Sequence, residues 1–357
     1  MPGAEPAAVV AASLLREVPD GLWVHPQRID LLRDALLMVR VDARTLAEAS
    51  FLDERIVTRN AQSGWFAWPQ VAQRLGSGSA ATPAHYLFHV GHCGSTLISR
   101  LLGELGIVQL REPLPLRTLA ELQVDLDAFE SRWSRTTFAA RLALLAALFD
   151  RGDGARAVKA TSHCNDLAPA LLAGHAPRRA TIIHTRLRPY LANVLAGPNS
   201  RLDLLAAAPQ RLRRLAARVG SPVGRLHELS PGVVAGMSWV TEMASLAATL
   251  DAQPPGRVLT LDFDRFLAHP GPQLRRLADH VAPGIDDSSI ERVAASPTLS
   301  RYSKSPEHAY DRALRSAVLA DAERGFGTEI RAGLAWCTQL AARHPTVARA
   351  LALFDQA

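Results

Sequence analysis

Tyr86-Leu87-Phe88-His89-Val90-Gly91-His92-Cys93-Gly94-Ser95-Thr96-Leu97-Ile98-Ser99-Arg100-Leu101-Leu102 is the stretch on which the fold turns. Its first five residues form a short, mostly apolar run of strand type, and Leu97 to Leu102 repeat their apolar positions at helical spacing. Between them lies a glycine turn. Strand, turn, helix is the natural parse. Gly91 and Gly94 let the backbone bend sharply and approach a ligand closely, while Ser95 and Thr96 add hydroxyl donors in the first helical turn. A helix N-terminus at the carboxyl end of a parallel strand offers unpaired N–H groups to an anion. The segment reads as a phosphate cradle, with a plain capped strand-to-helix turn as the bland alternative. It lacks the spacing and the lysine of GxxxxGK[ST], so it is not an ATP- or GTP-binding loop of that type.

Working outward, further strand-type runs occur at 107–110, 157–160, 181–185 and 257–261, most of them separated by stretches of helical length. Strands alternating with helices predict a mainly parallel sheet covered on both faces. The expected fold is α/β, a P-loop-like central parallel sheet flanked by helices, with an N-terminal helical extension and a helical C-terminal tail. Residues 1–78 read as helices and loops, with an apolar-periodic stretch over 29–41, and end at the small-residue linker 76–81. Residues 79–310 form the α/β unit. Residues 311–357 make a tail that packs on the core, helical apart from breaks at Gly325-Phe326-Gly327 and Pro345.

A chain of 357 residues, 48% of them hydrophobic, can bury a full core without staples. Cys93, Cys164 and Cys337 are an odd, scattered set without a CxxC pair, which points away from disulfides and zinc and toward a reducing compartment. No membrane span is expected, because no run approaches the roughly 18 apolar residues required. The N-terminus carries no basic residue ahead of its apolar run, unlike a secretory signal. A cytoplasmic location fits. Net charge is +6 and aromatics are 6% of the chain, scattered, so nucleic-acid binding is not expected. The arginine clusters 178–179, 211–214 and 275–276 suit anion binding, or else reflect solvated helix faces.

Residues 88–99 resemble the 5′-phosphosulfate-binding loop of the bacterial-type sulfotransferases that use 3′-phosphoadenosine 5′-phosphosulfate. Cys93, Gly94, Ser95 and Thr96 match its pattern of Ser or Cys, Gly and two hydroxyl residues. His92 stands where the family usually has lysine or arginine. Four further segments resemble the family in order. Arg111-Glu112-Pro113 is similar to the stretch bearing a glutamate base. Val158-Lys159-Ala160-Thr161 is similar to the strand end whose lysine faces the donor, with Thr161 where many members have a histidine. Residues 182–186, followed by Pro189 and a helix, resemble the 3′-phosphate-binding strand and helix, with Arg186 at the arginine and Asn193 or Val194 near the serine. Residues 259–270 resemble a late strand leading into a helix.

The resemblance implies sulfuryl transfer to a hydroxyl or amine of a small-molecule or peptide acceptor, with no metal. Gly91, His92, Cys93, Gly94, Ser95 and Thr96 would hold the 5′-phosphate, Lys159 and His92 would stabilise the leaving charge, and Glu112 would act as base. Arg186 and Asn193 would reach the 3′-phosphate. Arg301 and Lys304 belong to a basic, hydroxyl-rich segment that reads either as a lid over that phosphate or as a solvated loop. Each role has a rival. Glu112 can simply pair with Arg111 or Arg117, His92 can be an ordinary loop histidine, and Cys93 reads best as a small structural residue. His184, Met237 and Trp239 read as core. Two other readings stay open: an ATP-dependent small-molecule kinase, and a catalytically silent nucleotide-binding or scaffold protein.

Overall fold

The computed structural model describes residues 7–58, 60–76, 82–173, 177–301 and 311–356. The extension runs α1 (Ala7–Glu17), β1 (Val24–Asp30), β2 (Ala35–Arg40), α2 (Ala43–Glu48), β3 (Ser63–Ala67) and α3 (Trp68–Leu75). Its three strands form an antiparallel sheet in the order β1-β2-β3. This corrects the expectation of helices and loops for 1–78. The cause is local. The Asp30 carboxylate accepts from the N–H groups of Leu32 and Arg33, both at 2.9 Å, and Asp34 adopts a left-handed φ of 55°. That turn folds the apolar stretch back on itself as a hairpin. The linker residues 77–81 lie outside the described residues.

The α/β unit follows as β4 (His85–His89), α4 (Ser95–Glu104), β5 (Val108–Arg111), α5 (Leu114–Asp127), α6 (Arg135–Phe149) and β6 (Arg156–Lys159). A 3-10 turn over Ser162–Leu167 leads into α7 (Ala168–Leu172), β7 (Ala180–His184), α8 (Leu187–Ala196), α9 (Pro198–Val219) and α10 (Pro231–Asp251). Then come β8 (Val258–Asp262), α11 (Phe263–Ala268), α12 (Pro270–Val281) and α13 (Asp287–Ala294), before the tail helices α14 (Arg312–Arg343) and α15 (Pro345–Phe354). The fold is α/β, as expected. Five parallel strands stand in the order β5-β6-β4-β7-β8.

Every residue of β4, β6 and β7 is buried, which is why these strands read as near-continuous runs rather than alternations. Each fully buried Leu, Ile or Phe there contributes about 1.5–3 kcal/mol. The chain leaves β4 toward one edge of the sheet, for β5 and then β6, and later crosses to the other side for β7 and β8. The direction of winding therefore reverses beside β4. Ligands in open α/β sheets collect at such a reversal, outside the carboxyl ends of the strands.

Helix α10 is apolar nearly all round and forms the centre of the helical layer; it is long and apolar enough to cross a membrane, but 83% of its apolar window is buried in the protein. The tail docks on it at close range. A Cβ on Gly232 of α10 would stand 1.9 Å from the Glu329 carbonyl oxygen of α14, so only glycine permits the contact. The expected interruption at Gly325-Phe326-Gly327 is present as a kink, where two helical segments of α14 meet at a non-helical Phe326 (φ −123°, ψ 18°), and the break at Pro345 is present as well.

Candidate functional site

The loop after β4 is built from left-handed residues. Gly91 (φ 85°), His92 (φ 48°) and Gly94 (φ 76°) turn the chain sharply before α4 begins at Ser95. Gly94 is the N-cap position and among the described residues no side chain caps the helix; the Ser95 N–H reaches the Cys93 sulfur, and the other first-turn N–H groups are open to an anion. A Cβ at Gly94 would stand 2.1 Å from the Phe263 ring, so this position tolerates no side chain. Ser95 and Thr96 are buried along the wall of a cavity of about 250 Å3. Cys93 points inward instead. Its Sγ donates to the Ile183 carbonyl at 3.3 Å, and burial pushes the thiol up to about 11. It serves as a small core residue under the loop.

The imidazole of His92 sits between two partners, with Nδ1 at 3.2 Å from the Ser200 hydroxyl and Nε2 at 3.9 Å from the Asp203 carboxylate. Asn193 Nδ2 donates to the His92 carbonyl at 2.9 Å. Asn193 thus ties α8 to the loop as well as lining the cavity.

Strand order brings the other candidates alongside. Arg111 at the end of β5 is in register with Lys159 at the end of β6, and β6 neighbours β4. Arg111 turns away from the site. It is buried, donates to the Leu46, Ala47 and Ala49 carbonyls near the end of α2, and burial lowers its pKa to about 10. Glu112 follows with a left-handed φ of 53°, and that turn carries its carboxylate back over the sheet edge. There it pairs with Lys159, whose side chain is only 1% exposed, rather than with Arg111 or Arg117. The Lys159 ammonium also stands 5.5 Å from the Phe51 ring centroid. Phe51 belongs to the extension, which is anchored here by Leu52 N–H to the Arg111 carbonyl at 2.7 Å.

Two cavities share Glu112. The loop cavity is walled by His92 to Thr96, Lys159, Asn193 and Arg301, with Glu112 at its edge. A second cavity of about 560 Å3 is lined by Glu112, His92 and Gly91 together with Phe51, Arg55, Thr161 and His163. The structure therefore gathers Gly91 to Thr96, Glu112, Lys159, Asn193 and Arg301 around one centre. Arg186 is not among them. It lines a separate cavity of about 630 Å3 with Arg265, Arg312 and Arg315, on the far side of the contact between Phe263 and the Arg315 guanidinium, which are 5.2 Å apart. Lys304 lies outside the described residues. Among the described residues no group of three or more His, Cys, Asp and Glu side chains is placed to hold a metal ion.

No family model matches the chain, and no curated protein matches it in sequence. Among solved structures, a sulfotransferase domain from the curacin biosynthetic pathway covers 70% of this chain and 99% of its own, at 12% identity and a TM-score of 0.38. Sulfotransferase STF9 from Mycobacterium avium covers 70% of this chain and 78% of its own, at 12% identity and a TM-score of 0.37. A sulfotransferase domain from the Synechococcus PCC 7002 olefin synthase covers 71% and 97%, at 14% identity and a TM-score of 0.36. Likenesses this low assign no role to any residue, and the chemistry stands on the geometry of this chain.

Several site residues escaped the sequence. Phe51 and Ser200 carry no local signal, since each reaches the site only through the packing of its element. Arg211 and Arg214 were visible as an arginine cluster that also reads as a solvated face. Both are buried in ion pairs with Glu242, which corrects that alternative at these two positions. Arg178, in another cluster, is likewise buried and paired with Asp150. His163 lines the second cavity as a neutral imidazole, its pKa lowered to about 4 by burial and by the charge of Arg211. Trp239 and Met237 are core, as expected, and the Trp239 indole N–H donates to the Thr185 carbonyl at 2.9 Å.

Proposed function

We propose that this chain is a sulfotransferase that moves a sulfuryl group from 3′-phosphoadenosine 5′-phosphosulfate to a hydroxyl or amine of a small-molecule or peptide acceptor. The observation that carries the reading is the Lys159–Glu112 pair, in which the buried Lys159 lines the loop cavity and Glu112 lines both that cavity and the second one. Donor and acceptor then approach from opposite sides of one cation and one carboxylate.

Sulfuryl transfer has a loose transition state, so the protein's task is to position two reactants and to meet charge where it develops. The uncapped α4 N-terminus and the Ser95 and Thr96 hydroxyls bind the 5′-phosphate. Lys159 faces the oxygen that bridges phosphorus and sulfur and takes up its charge as the S–O bond breaks. His92 adds a second donor. It is effective when protonated. Glu112 accepts the proton from the acceptor hydroxyl or amine as the new bond to sulfur forms. The second cavity, with Arg55, Asp53, His163 and Arg211 among its lining, suits a polar acceptor. Arg301 and Asn193 line the loop cavity and would meet the nucleotide there. Arg186 would meet a 3′-phosphate only if the nucleotide extends past Phe263 into the neighbouring cavity.

Calorimetric titration with adenosine 3′,5′-bisphosphate tests the reading. Saturable binding that ATP with magnesium does not reproduce is the expected result. Absence of binding sinks the proposal, and preference for ATP with magnesium transfers it to a kinase. Binding without any sulfated product, searched for in extracts by high-accuracy mass spectrometry, favours the silent form that His92 and Thr161 allow.

A further inference from the structure

Helix α10 carries a carboxylate in its apolar middle. Glu242 is fully buried, a costly placement unless every oxygen is paired and hydrogen-bonded. It receives Arg211 Nε at 2.9 Å, both terminal nitrogens of Arg214 at 2.9 and 3.0 Å, and Asn165 Nδ2 at 2.9 Å. Burial raises its pKa, but the two guanidinium groups outweigh that and hold it below the usual range. Arg214 continues outward to Asp166 at 2.5 Å, where Arg218 and the Ser245 hydroxyl also bind. A packed apolar cluster of the same volume would hold the helices together as well or better. The network has another consequence. Two of its arms end on the turn that begins the phosphate loop.

The first arm is Asn165, whose Nδ2 also donates to the His89 carbonyl at 3.1 Å, at the last residue of β4. The second is Arg211, whose terminal nitrogen holds the Ser162 hydroxyl at 3.1 Å. That hydroxyl packs beneath Gly91, 3.4 Å from where a Cβ would stand. Between the arms, the Gly91 N–H donates to His89 Nδ1 at 3.0 Å. We propose that Glu242 is a positioning residue for the phosphate loop, acting through Asn165 on the His89 carbonyl and through Arg211 and Ser162 on Gly91. The role rests on the reading of that loop as an anion grip. A loop held in its left-handed turns before the ligand arrives loses less entropy on binding, so the network raises affinity without touching the nucleotide.

The test compares Asn165→Ala, which removes the loop-facing arm, with Ser245→Ala, which trims the outer end of the same network. Amide hydrogen exchange over residues 90–96 is measured together with the dissociation constant for adenosine 3′,5′-bisphosphate. Asn165→Ala is expected to speed loop exchange and weaken binding, each about tenfold, the size of one lost hydrogen bond to a buried carbonyl. Ser245→Ala lowers the melting temperature but leaves both readouts at the wild-type value. Should Asn165→Ala fail to fold, Ser162→Ala gives the same loop-confined acceleration from the Gly91 side. Equal acceleration in the inner and outer variants, or none at the loop, overturns the positioning role. If the wild-type protein binds no bisphosphate while exchange still separates the variants, the positioning role stands and the sulfuryl-transfer reading falls.

Discussion

Exchanging the two members of the Lys159–Glu112 pair one at a time should move nucleotide affinity in opposite directions. The Lys159 ammonium is 1% exposed and the Glu112 side chain 19%. The carboxylate is a counter-ion of the ammonium, and an incoming phosphate or sulfuryl oxygen must compete with it. Glu112→Gln keeps the shape and removes the charge. Breaking a fully buried pair costs about 3–5 kcal/mol, and the partial exposure of Glu112 puts this one at the low end, about 3 kcal/mol. At about 2 °C per kcal/mol for a chain of this size, the melting temperature should fall by about 6 °C. The bound anion then replaces the missing carboxylate. An uncontested charge-assisted hydrogen bond is worth about 1.5–3 kcal/mol, so bisphosphate should bind Glu112→Gln about tenfold more tightly than wild type, or better. Lys159→Met should bind about tenfold more weakly. Once an acceptor is in hand, Glu112→Gln should also lose turnover despite its tighter binding, separating kcat from KM. Isothermal calorimetry with scanning calorimetry reads the first two effects. If both variants weaken binding alike, the carboxylate holds the ammonium for the ligand rather than against it, and the competition argument is wrong.

Two further outcomes follow from the same geometry. Gly94→Ala adds about 1 kcal/mol for its left-handed backbone and drives a Cβ into the Phe263 ring, which is itself buried and stacked on Phe266. Bisphosphate binding should vanish, the double variant with Phe263→Ala should recover part of it, and normal affinity in the single variant would refute the close approach. His25 is fully buried with neither ring nitrogen hydrogen-bonded, and burial, helped by the Arg151 charge, lowers its pKa to about 3. An unfolded histidine titrates near 6.5, so between about pH 6.5 and 3 the unfolded chain binds a proton that the folded chain refuses. Stability is therefore lost as pH falls through that window, by up to about 1.4 kcal/mol per pH unit from this one group. His25→Phe, beside Phe149 at 6.2 Å, should flatten that acid limb in urea unfolding. An unchanged slope would refute it.

The central strands of the α/β unit, β4, β6 and β7, were legible because every residue in them is buried, and burial on both faces favours short apolar runs that survive without context. The loop was legible for a related reason. Gly91 and Gly94 mark left-handed positions wherever they occur in space, and the hydroxyls of Ser95 and Thr96 follow from their place in the chain. The hairpin of the extension was not legible. A continuous apolar run over 35–39, with further apolar residues at 29, 31, 32 and 41, does not by itself tell strand from helix, and the Asp30 side-chain turn that decides it is a local event.

By itself the sequence determined the α/β architecture of the central unit, the place of its glycine turn and the identity of Lys159 and Glu112 as candidates, because each depends on residue type and on short-range order along the chain. The tertiary structure alone decided how they meet. Glu112 chose Lys159 over two nearer arginines because parallel pairing of β5 with β6 sets their ends side by side while Arg111 turns to the α2 carbonyls. Arg186 fell into a different cavity because the Phe263 ring occupies the space in front of Gly94. Glu242, the charge in the apolar middle of α10, became a support for the loop because α9, α10 and the turn after β6 converge beneath it. Those are relations among surfaces distant in the chain, and only packing brings them within hydrogen-bond reach.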